Sequence, residues 1–476
     1  MRVLLIALQN TTPGPASPDE QTRWAELGSP MRTARMEEEH ALALARSMRD
    51  GGNFAPMLVC LEHSTLHSRA VQLNLPVIPV SGASQRNPLN LWRLWRWQRR
   101  HARLLVQTIG QDAMALGRSV LRMRESGATL LAHAFLLRPP AAQSMTGKPF
   151  LAAHKILCGS QHILERMPAS GTTERAATPC AVTENSATES AATRPDGTPH
   201  SGGTARPGLP VGGDSTTAAL RAERGEKGRT LRLDGDLLTP IAPGMSLDDF
   251  APAPPWEQAQ PSEPIAGETA HSREQRFIFA LGDAMTPRSG AQLVTRAMAA
   301  IWQRGDLPTW EVRALGGGPR YAELLEEAEN LGVSSRLCLL NEQSLPEVLR
   351  HCHAWIAPGS SPEELPENLW AGVAAFLPTV CSASPLHRER LRLDNNDPAD
   401  VALLVEENDP QALAKAMIDI MQDAPLRRRL VEASQSLRDH VGLESFAVRT
   451  CTLYQHWCRQ LGWLDPAMPV TGNPRT

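Results

Sequence analysis

Short, continuous apolar runs recur along the chain and alternate with stretches whose apolar positions fall at helical spacing. Val3–Leu8, Met57–Leu61 and Val77–Val80 are runs of this kind in the first third. Such runs suit parallel strands covered on both faces. Between the first two lies a loop rich in Pro, Gly and Ser to about Pro30. A helix over Glu38–Arg49 follows, with Ala41, Leu44, Ala45 and Met48 on one side. The pattern continues with a strand from Leu104, a helix over Ala113–Arg124, a strand over Ala128–Ala132 ending at His133, a strand over Ile156–Cys158 and a helix over His162–Met167. Residues 168–228 hold no aromatic or isoleucine, so burial cannot offset their chain entropy, and a disordered insertion is expected.

Order resumes near Leu231, with a short strand and turn over Ile241–Gly244. Pro252 to about Gln275 reads as a linker. A second alternation then opens with a buried strand over Arg276–Gly282, closing on glycine. It proceeds through a helix over Gly290–Trp302, strands over Trp310–Leu315 and Leu337–Leu340, and a short strand at Trp355–Ile356. Thr379–Cys381, Val401–Val405 and helices over Gln411–Gln422, Pro425–His440 and Ser445 to about Leu461 complete it. Strands alternating with helices predict an α/β protein with two doubly wound, Rossmann-like domains facing a cleft. The expected division is 1–167 for the first domain, 168–228 for the insertion, 229–250 for the end of the first domain and a crossover, and 251–275 for the linker. The second domain is 276–443, a last helix 444–463 packs back toward the first, and 464–476 is a tail.

The net charge of -3 gives no global pull toward nucleic acid, so none is expected as a partner. Residues 91–106 interleave three tryptophans with five arginines. They form either a docked surface helix with a solvated basic face or an edge that rests on an anionic bilayer. The eight cysteines are scattered without a C-x-x-C pair, which predicts reduced thiols, no metal and a cytoplasmic protein.

Candidate chemistry concentrates in Ile356–Val380. A Pro-Gly-Ser-Ser-Pro turn there feeds a carboxylate cluster, Glu363, Glu364 and Glu367, before an amphipathic run. Carboxylates at a strand-to-helix turn can accept hydrogen bonds from sugar hydroxyls; acidic residues in a first turn also stabilise the helix dipole with no ligand at all. Gly316-Gly317-Gly318-Pro319, between a strand and a helix, could seat a phosphate on backbone amides, although tight turns want glycine anyway. His133 is expected at the ligand-facing end of its strand.

Several segments resemble the retaining nucleotide-sugar glycosyltransferases of family four, which have the GT-B fold. Ile241–Pro252 is similar to the segment joining that family's domains, and Leu315–Arg320 to its G-x-G-P turn. Leu331–Asn341 and His353–Pro358 resemble its strand entries, and Leu105–Arg124 and Ala153–Ser160 its first-domain elements. The signature E-x7-E-A-x-A-x-G-x-P departs: the first glutamate falls on Glu363, the second on Ala371 and the glycine on Phe376. In Gly282–Gly290, Asp283 and Ser289 stand where the diphosphate-clamping Arg and Lys are expected, leaving Arg288 as the cation. Arg35-Met36-Glu37-Glu38 replaces a glycine-rich loop, and Gln107 and Ile109 stand in place of histidines.

The resemblance implies a sugar transferred with retention from a nucleotide-diphosphate sugar to a glycan or lipid-linked acceptor, in cell-surface polysaccharide biosynthesis. The donor is a substrate, and no cofactor is implied. His133 and Glu363 are the implied catalytic residues, and Arg288, Gly316, Gly317, Gly318, Glu364, Glu367 and Asn368 the implied donor-binding ones. The departures leave one alternative, a catalytically weakened GT-B protein that serves as a binding or scaffold partner in glycan assembly. Peripheral contact with the inner face of a membrane would run through 91–106.

Overall fold

A computed structural model of the chain describes residues 1–9, 30–81, 87–123, 128–138, 144, 150, 152–161, 237–258, 275–282, 290–316, 320–340, 344–359, 365–392 and 397–465. The expected insertion 168–228, the helix at 162–167 and the resumption at Leu231 lie outside them. The first half runs β1 (Arg2–Ala7), α1 (Pro30–Asp50), β2 (Ala55–Leu61), α2 (Thr65–Gln72), β3 (Val77–Val80), α3 (Pro88–Gln98), β4 (Arg103–Ile109), α4 (Met114–Arg122), β5 (Ala128–Phe135), β6 (Lys155–Cys158) and β7 (Leu238–Pro240). Its strands form one parallel sheet of seven in the order β3-β2-β1-β4-β5-β6-β7.

The second half runs β8 (Phe277–Leu281), α5 (Ala291–Trp302), β9 (Trp310–Leu315), α6 (Tyr321–Asn330), β10 (Leu337–Leu340), α7 (Leu345–Leu349), β11 (Ala354–Ala357), α8 (Pro366–Ala374), β12 (Thr379–Ser382), α9 (Pro385–Leu391), α10 (Pro398–Val401), β13 (Ala402–Val405), α11 (Pro410–Gln422), α12 (Ala424–Val441) and α13 (Leu443–Gln460). Six parallel strands take the order β10-β9-β8-β11-β12-β13. The central strands are buried throughout because helices cover both faces; Phe277–Leu281 shows no outward side at all.

Four boundaries differ from the sequence pattern. α1 begins at Pro30 instead of Glu38, since its inward stripe, which includes the buried polar His40, continues upstream through the buried Met36 and Thr33. The basic-aromatic stretch is helical only to Gln98, after which Arg103 opens β4. β5 passes through His133 to Phe135, because Ala134 and Phe135 still pair with Leu157 and Cys158 of β6. The short strand expected at Ile241 is Leu238–Pro240. α8 is also not amphipathic. Leu369 through Ala374 are all buried, and Gly372 lets the helix close on the sheet, where a Cβ would stand 2.4 Å from Thr379 Oγ1.

The segment after β7 is held to both halves. Met245 pairs with Gly442 and exchanges backbone hydrogen bonds with Val441 and Leu443. A side chain at Gly244 would meet the Gly442 carbonyl oxygen at 2.8 Å, so this crossing needs glycine. The Gly244 amide donates to His40 Nε2 (2.9 Å), while His40 Nδ1–H donates to the Met36 carbonyl (2.6 Å). One acceptor and one donor nitrogen define a neutral ring, and burial pushes its pKa down to about 4. Arg438 adds hydrogen bonds to the Ala374 and Phe250 carbonyls. α13 then returns along α1: Tyr454 donates its hydroxyl proton to Gln107, and Arg449 reaches the Ala242 carbonyl.

His353 is a second buried neutral imidazole; its Nδ1 accepts from the Ile278 amide (2.9 Å), and burial lowers its pKa to about 4. An unfolded chain binds protons at both imidazoles from about pH 6.5 downward, whereas the folded chain does not until about pH 4. Their contribution to stability is therefore full above pH 6.5 and is lost as pH falls through that window. Glu37, raised to about 7, acts in the opposite direction. Replacing His40 by Gln isolates one contribution. Urea titrations at pH 7 should show a loss of about 1–3 kcal/mol, and the variant should lose less stability than wild type on acidification to pH 5.

Candidate active site

In each sheet the strand order reverses once, between β1 and β4 and between β8 and β11. Loops diverge to opposite faces at such a point, which opens a crevice beyond the carboxyl ends of the strands. In the second sheet the reversal is built from glycines. β8 ends at Leu281, and a Cβ on Gly282 would stand 2.6 Å from the Trp355 indole. α5 starts from Gly290 at φ 75° with no side-chain cap, and a Cβ there would press to 3.0 Å on the Pro358 backbone beyond β11. β9 is followed by Gly316, φ 123°, whose amide donates to the Leu340 carbonyl (3.1 Å). The glycines let Trp355 and Pro358 pack closely, and the uncapped helix start favours an anion at that edge.

The loop after β11 is fixed from beneath. Ser382 Oγ, at the end of β12, donates to the Gly359 carbonyl (2.6 Å) and lies 2.9 Å from His387 Nδ1. Both residues are buried. Trp355 Nε1 donates to the Asn368 carbonyl (2.8 Å), tying the first turn of α8 to β11.

Of the residues chosen from sequence, Gly316, Glu367 and Asn368 stand at this edge, Asn368 nearly buried and Glu367 half-buried. Glu363, Glu364, Arg288, Gly317 and Gly318 lie outside the described residues, as do Asp283 and Ser289. Ala371 sits in an apolar cluster with Trp355 and Trp370, so the second signature carboxylate has no counterpart there. Phe376 occupies the signature glycine position at φ 56°, a left-handed conformation that closes α8, with the Arg438 guanidinium 5.3 Å from its ring centre.

His133 is placed differently from the expectation. It lies inside β5 with 0% exposure, and its Nδ1 is 2.6 Å from Thr108 Oγ1. Gln107, where the family pattern has histidine, is committed to Tyr454 of α13.

The carboxyl edge of the first sheet carries polar groups that were not chosen as site residues from sequence, Glu37 having been noted only in the run that replaces a glycine-rich loop. Gln9, directly after β1, spans the reversal: its Nε2 donates to the Ile109 carbonyl (2.9 Å) and to Glu37 Oε2 (2.8 Å). Burial raises the Glu37 carboxyl to about 7, opposed by the Gln9 hydrogen bond, with Asp112 raising it and Arg138 lowering it further. Two residues on, burial also raises Glu39, against Arg35 and Arg69, and the charge of Glu367 adds to the rise. That coupling brings the first turn of α8 within electrostatic reach of α1. Leu365, just before α8, joins the apolar cluster that includes Met36 and Phe446.

Residues 263–437, the second sheet and most of its helices, match the sequence profile of the family described as Glycosyl transferases group 1. No curated protein matches the chain. Among solved structures, a glycosyltransferase from Rickettsia africae is 12% identical with a TM-score of 0.58, covering 97% of this chain and 98% of its own. HepE of Anabaena, solved with UDP, is 11% identical with a TM-score of 0.57, covering 96% and 100%. A lipopolysaccharide outer core galactosyltransferase, WaaB, is 9% identical with a TM-score of 0.50, covering 94% and 99%. The two parallel sheets with interleaved helices are the GT-B fold of these glycosyltransferases.

Phe376 provides a test of the loop closing α8. Phe376→Gly relieves the left-handed strain while losing the Arg438 contact, whereas Phe376→Ala loses the contact and keeps the strain. The Gly variant should be more stable than the Ala variant by about 1 kcal/mol in urea titration.

Proposed function

We propose that this chain is a glycosyltransferase that moves a sugar, with retention, from a nucleotide-diphosphate sugar to a glycan or lipid-linked acceptor in cell-surface polysaccharide assembly. One observation carries the reading. The stretch matching Glycosyl transferases group 1 contains a strand-order reversal with the uncapped start of α5 and the Gly316 turn at its carboxyl edge, backbone amides that a diphosphate could meet. The bond between the anomeric carbon and the diphosphate breaks with charge building on the departing phosphate. The start of α5, the Gly316–Gly318 turn and Arg288 would stabilise that charge. Glu363, Glu364, Glu367 and Asn368 would receive the donor's hydroxyls. His133, buried in β5 beside Thr108, has no direct contact with the donor in this reading. HepE solved with UDP and with UDP-glucose supports a uridine donor, and WaaB supports a glycan acceptor.

A cytoplasmic location with peripheral membrane contact is part of the same proposal. No helix among the described residues is long and apolar enough to cross a membrane. α3 supports contact at the surface: Leu89 is 65% and Trp92 51% exposed beside the exposed Arg93, Arg96, Arg99 and Arg100. Among the described residues no cluster suited to a metal ion occurs. The buried Ala371 favours a second reading, in which the chain binds a nucleotide or a glycan-assembly partner without transferring sugar.

A thermal-shift screen against UDP, GDP, ADP and their sugars separates these readings. One nucleotide should stabilise the protein by about 2.7 kcal/mol at a hundredfold over Kd. The shift should fall sharply in Arg288→Ala, and transfer should be abolished in Glu363→Ala. No shift at millimolar ligand contradicts the donor-site proposal, and binding without transfer supports the second reading.

A further inference from the structure

The donor reading leaves the reversal of the first sheet unused, although it holds a built polar site. Gln9 is 6% exposed, and its carboxamide is fixed by two donated hydrogen bonds, to Ile109 and to Glu37. Among the described residues its Oε1 has no hydrogen-bond partner. A buried amide oxygen left this way costs stability unless a donor reaches it. Gly110, at φ 75°, supplies the opposite wall. Any Cβ there would stand 2.7 Å from Glu37 Oε2 and 3.0 Å from Gln9 Nε2, so the backbone has to be bare where it passes the carboxyl.

The hydrogen-bonding character of the surroundings selects the ligand. The charged neighbours acting on Glu37 are Asp112 and Arg138, of opposite sign. Gln9 Oε1 and the Glu37 carboxyl are acceptor oxygens, which suit an O–H donor and offer nothing to the acceptor-only oxygens of a diphosphate.

On the transferase reading above, we propose that Gln9 and Glu37 seat the attacking hydroxyl of an uncharged sugar or polyol acceptor. The hydroxyl proton points to these oxygens, and the hydroxyl's own lone pair is left directed at the donor. Burial holds the Glu37 carboxyl near neutrality, so its capacity to accept such a proton changes within the physiological range.

The test uses water and glycerol as acceptors, with the donor found in the nucleotide screen. Release of nucleoside diphosphate is followed across pH for wild type, Glu37→Gln and Glu37→Ala. Glu37→Gln keeps the hydrogen bond from Gln9 because its amide oxygen can accept, so it should fold with an unchanged melting temperature. Expected are a kcat lowered about tenfold in both variants, an unaltered donor Kd, and loss of the wild-type inflection near pH 7. An unchanged kcat and pH profile overturns the proposal. Weakened donor binding also overturns it, since it assigns the pair to the donor. A wild type that binds donor yet releases no nucleoside diphosphate at any pH overturns it as well. If wild type binds no nucleotide, the transferase reading itself fails, a result distinct from these three.

Discussion

The His40 imidazole is the contact on which the arrangement of the chain turns. It joins α1 of the first sheet to the segment leaving that sheet, because its two nitrogens meet the Met36 carbonyl and the Gly244 amide. Its ring also packs edge-on against Phe446 of the last helix, 4.6 Å between centres. A charged ring could not make this set, since Nε2 must accept. Burial keeps it neutral, and Gly244 and Gly442 supply the bare backbone that lets the crossing segment and the start of α13 touch. α13 then covers α1 and takes Gln107 as its polar anchor. Three parts distant in sequence are thus fixed by one tautomer and two glycines.

From that arrangement the site follows by topology. Each sheet reverses its strand order once, and each reversal carries a different chemistry: glycines and an uncapped helix start in the second sheet, amide and carboxyl oxygens in the first. Glu39 and Glu367, on opposite halves, feel each other's charge. On the proposed reading, the first of these edges would meet the donor's diphosphate and the second the acceptor's hydroxyl, the two requirements of moving a sugar from a phosphate to an alcohol.

Much of the fold was legible in the sequence because buried parallel strands write themselves as unbroken apolar runs. Val3–Leu8 and Phe277–Leu281 could be read without a partner. What escaped were elements whose inward face includes polar residues. Thr33 and His40 belong to the buried stripe of α1, yet no aliphatic pattern includes them. α8 was misread because a helix buried on every side has no moment to detect, and its acidic first turn suggested one. His133 was assigned to a strand end because a pattern of apolar letters stops at the first polar one, whereas pairing with β6 carries β5 two residues farther. For the proposed site, Gly316, Glu367 and Asn368 were chosen from local turn chemistry and the family resemblance, and they lie at the edge of the second sheet. Gln9 and Glu37 were not, since only strand order brings the end of β1 beside β4 and the inner face of α1. Gln9, the first polar residue after the opening apolar run, and the Arg35–Glu38 run in place of a glycine-rich loop were the available signals.

The most direct test of this account is the position of a nucleoside diphosphate in a crystal of the full chain grown with the nucleotide selected by the stability screen. The account predicts its phosphates at the reversal of the second sheet, against the start of α5 and the backbone at Gly282 and Gly316. Phosphates on the Gln9–Glu37 edge of the first sheet, or anywhere away from the strand ends, would contradict it.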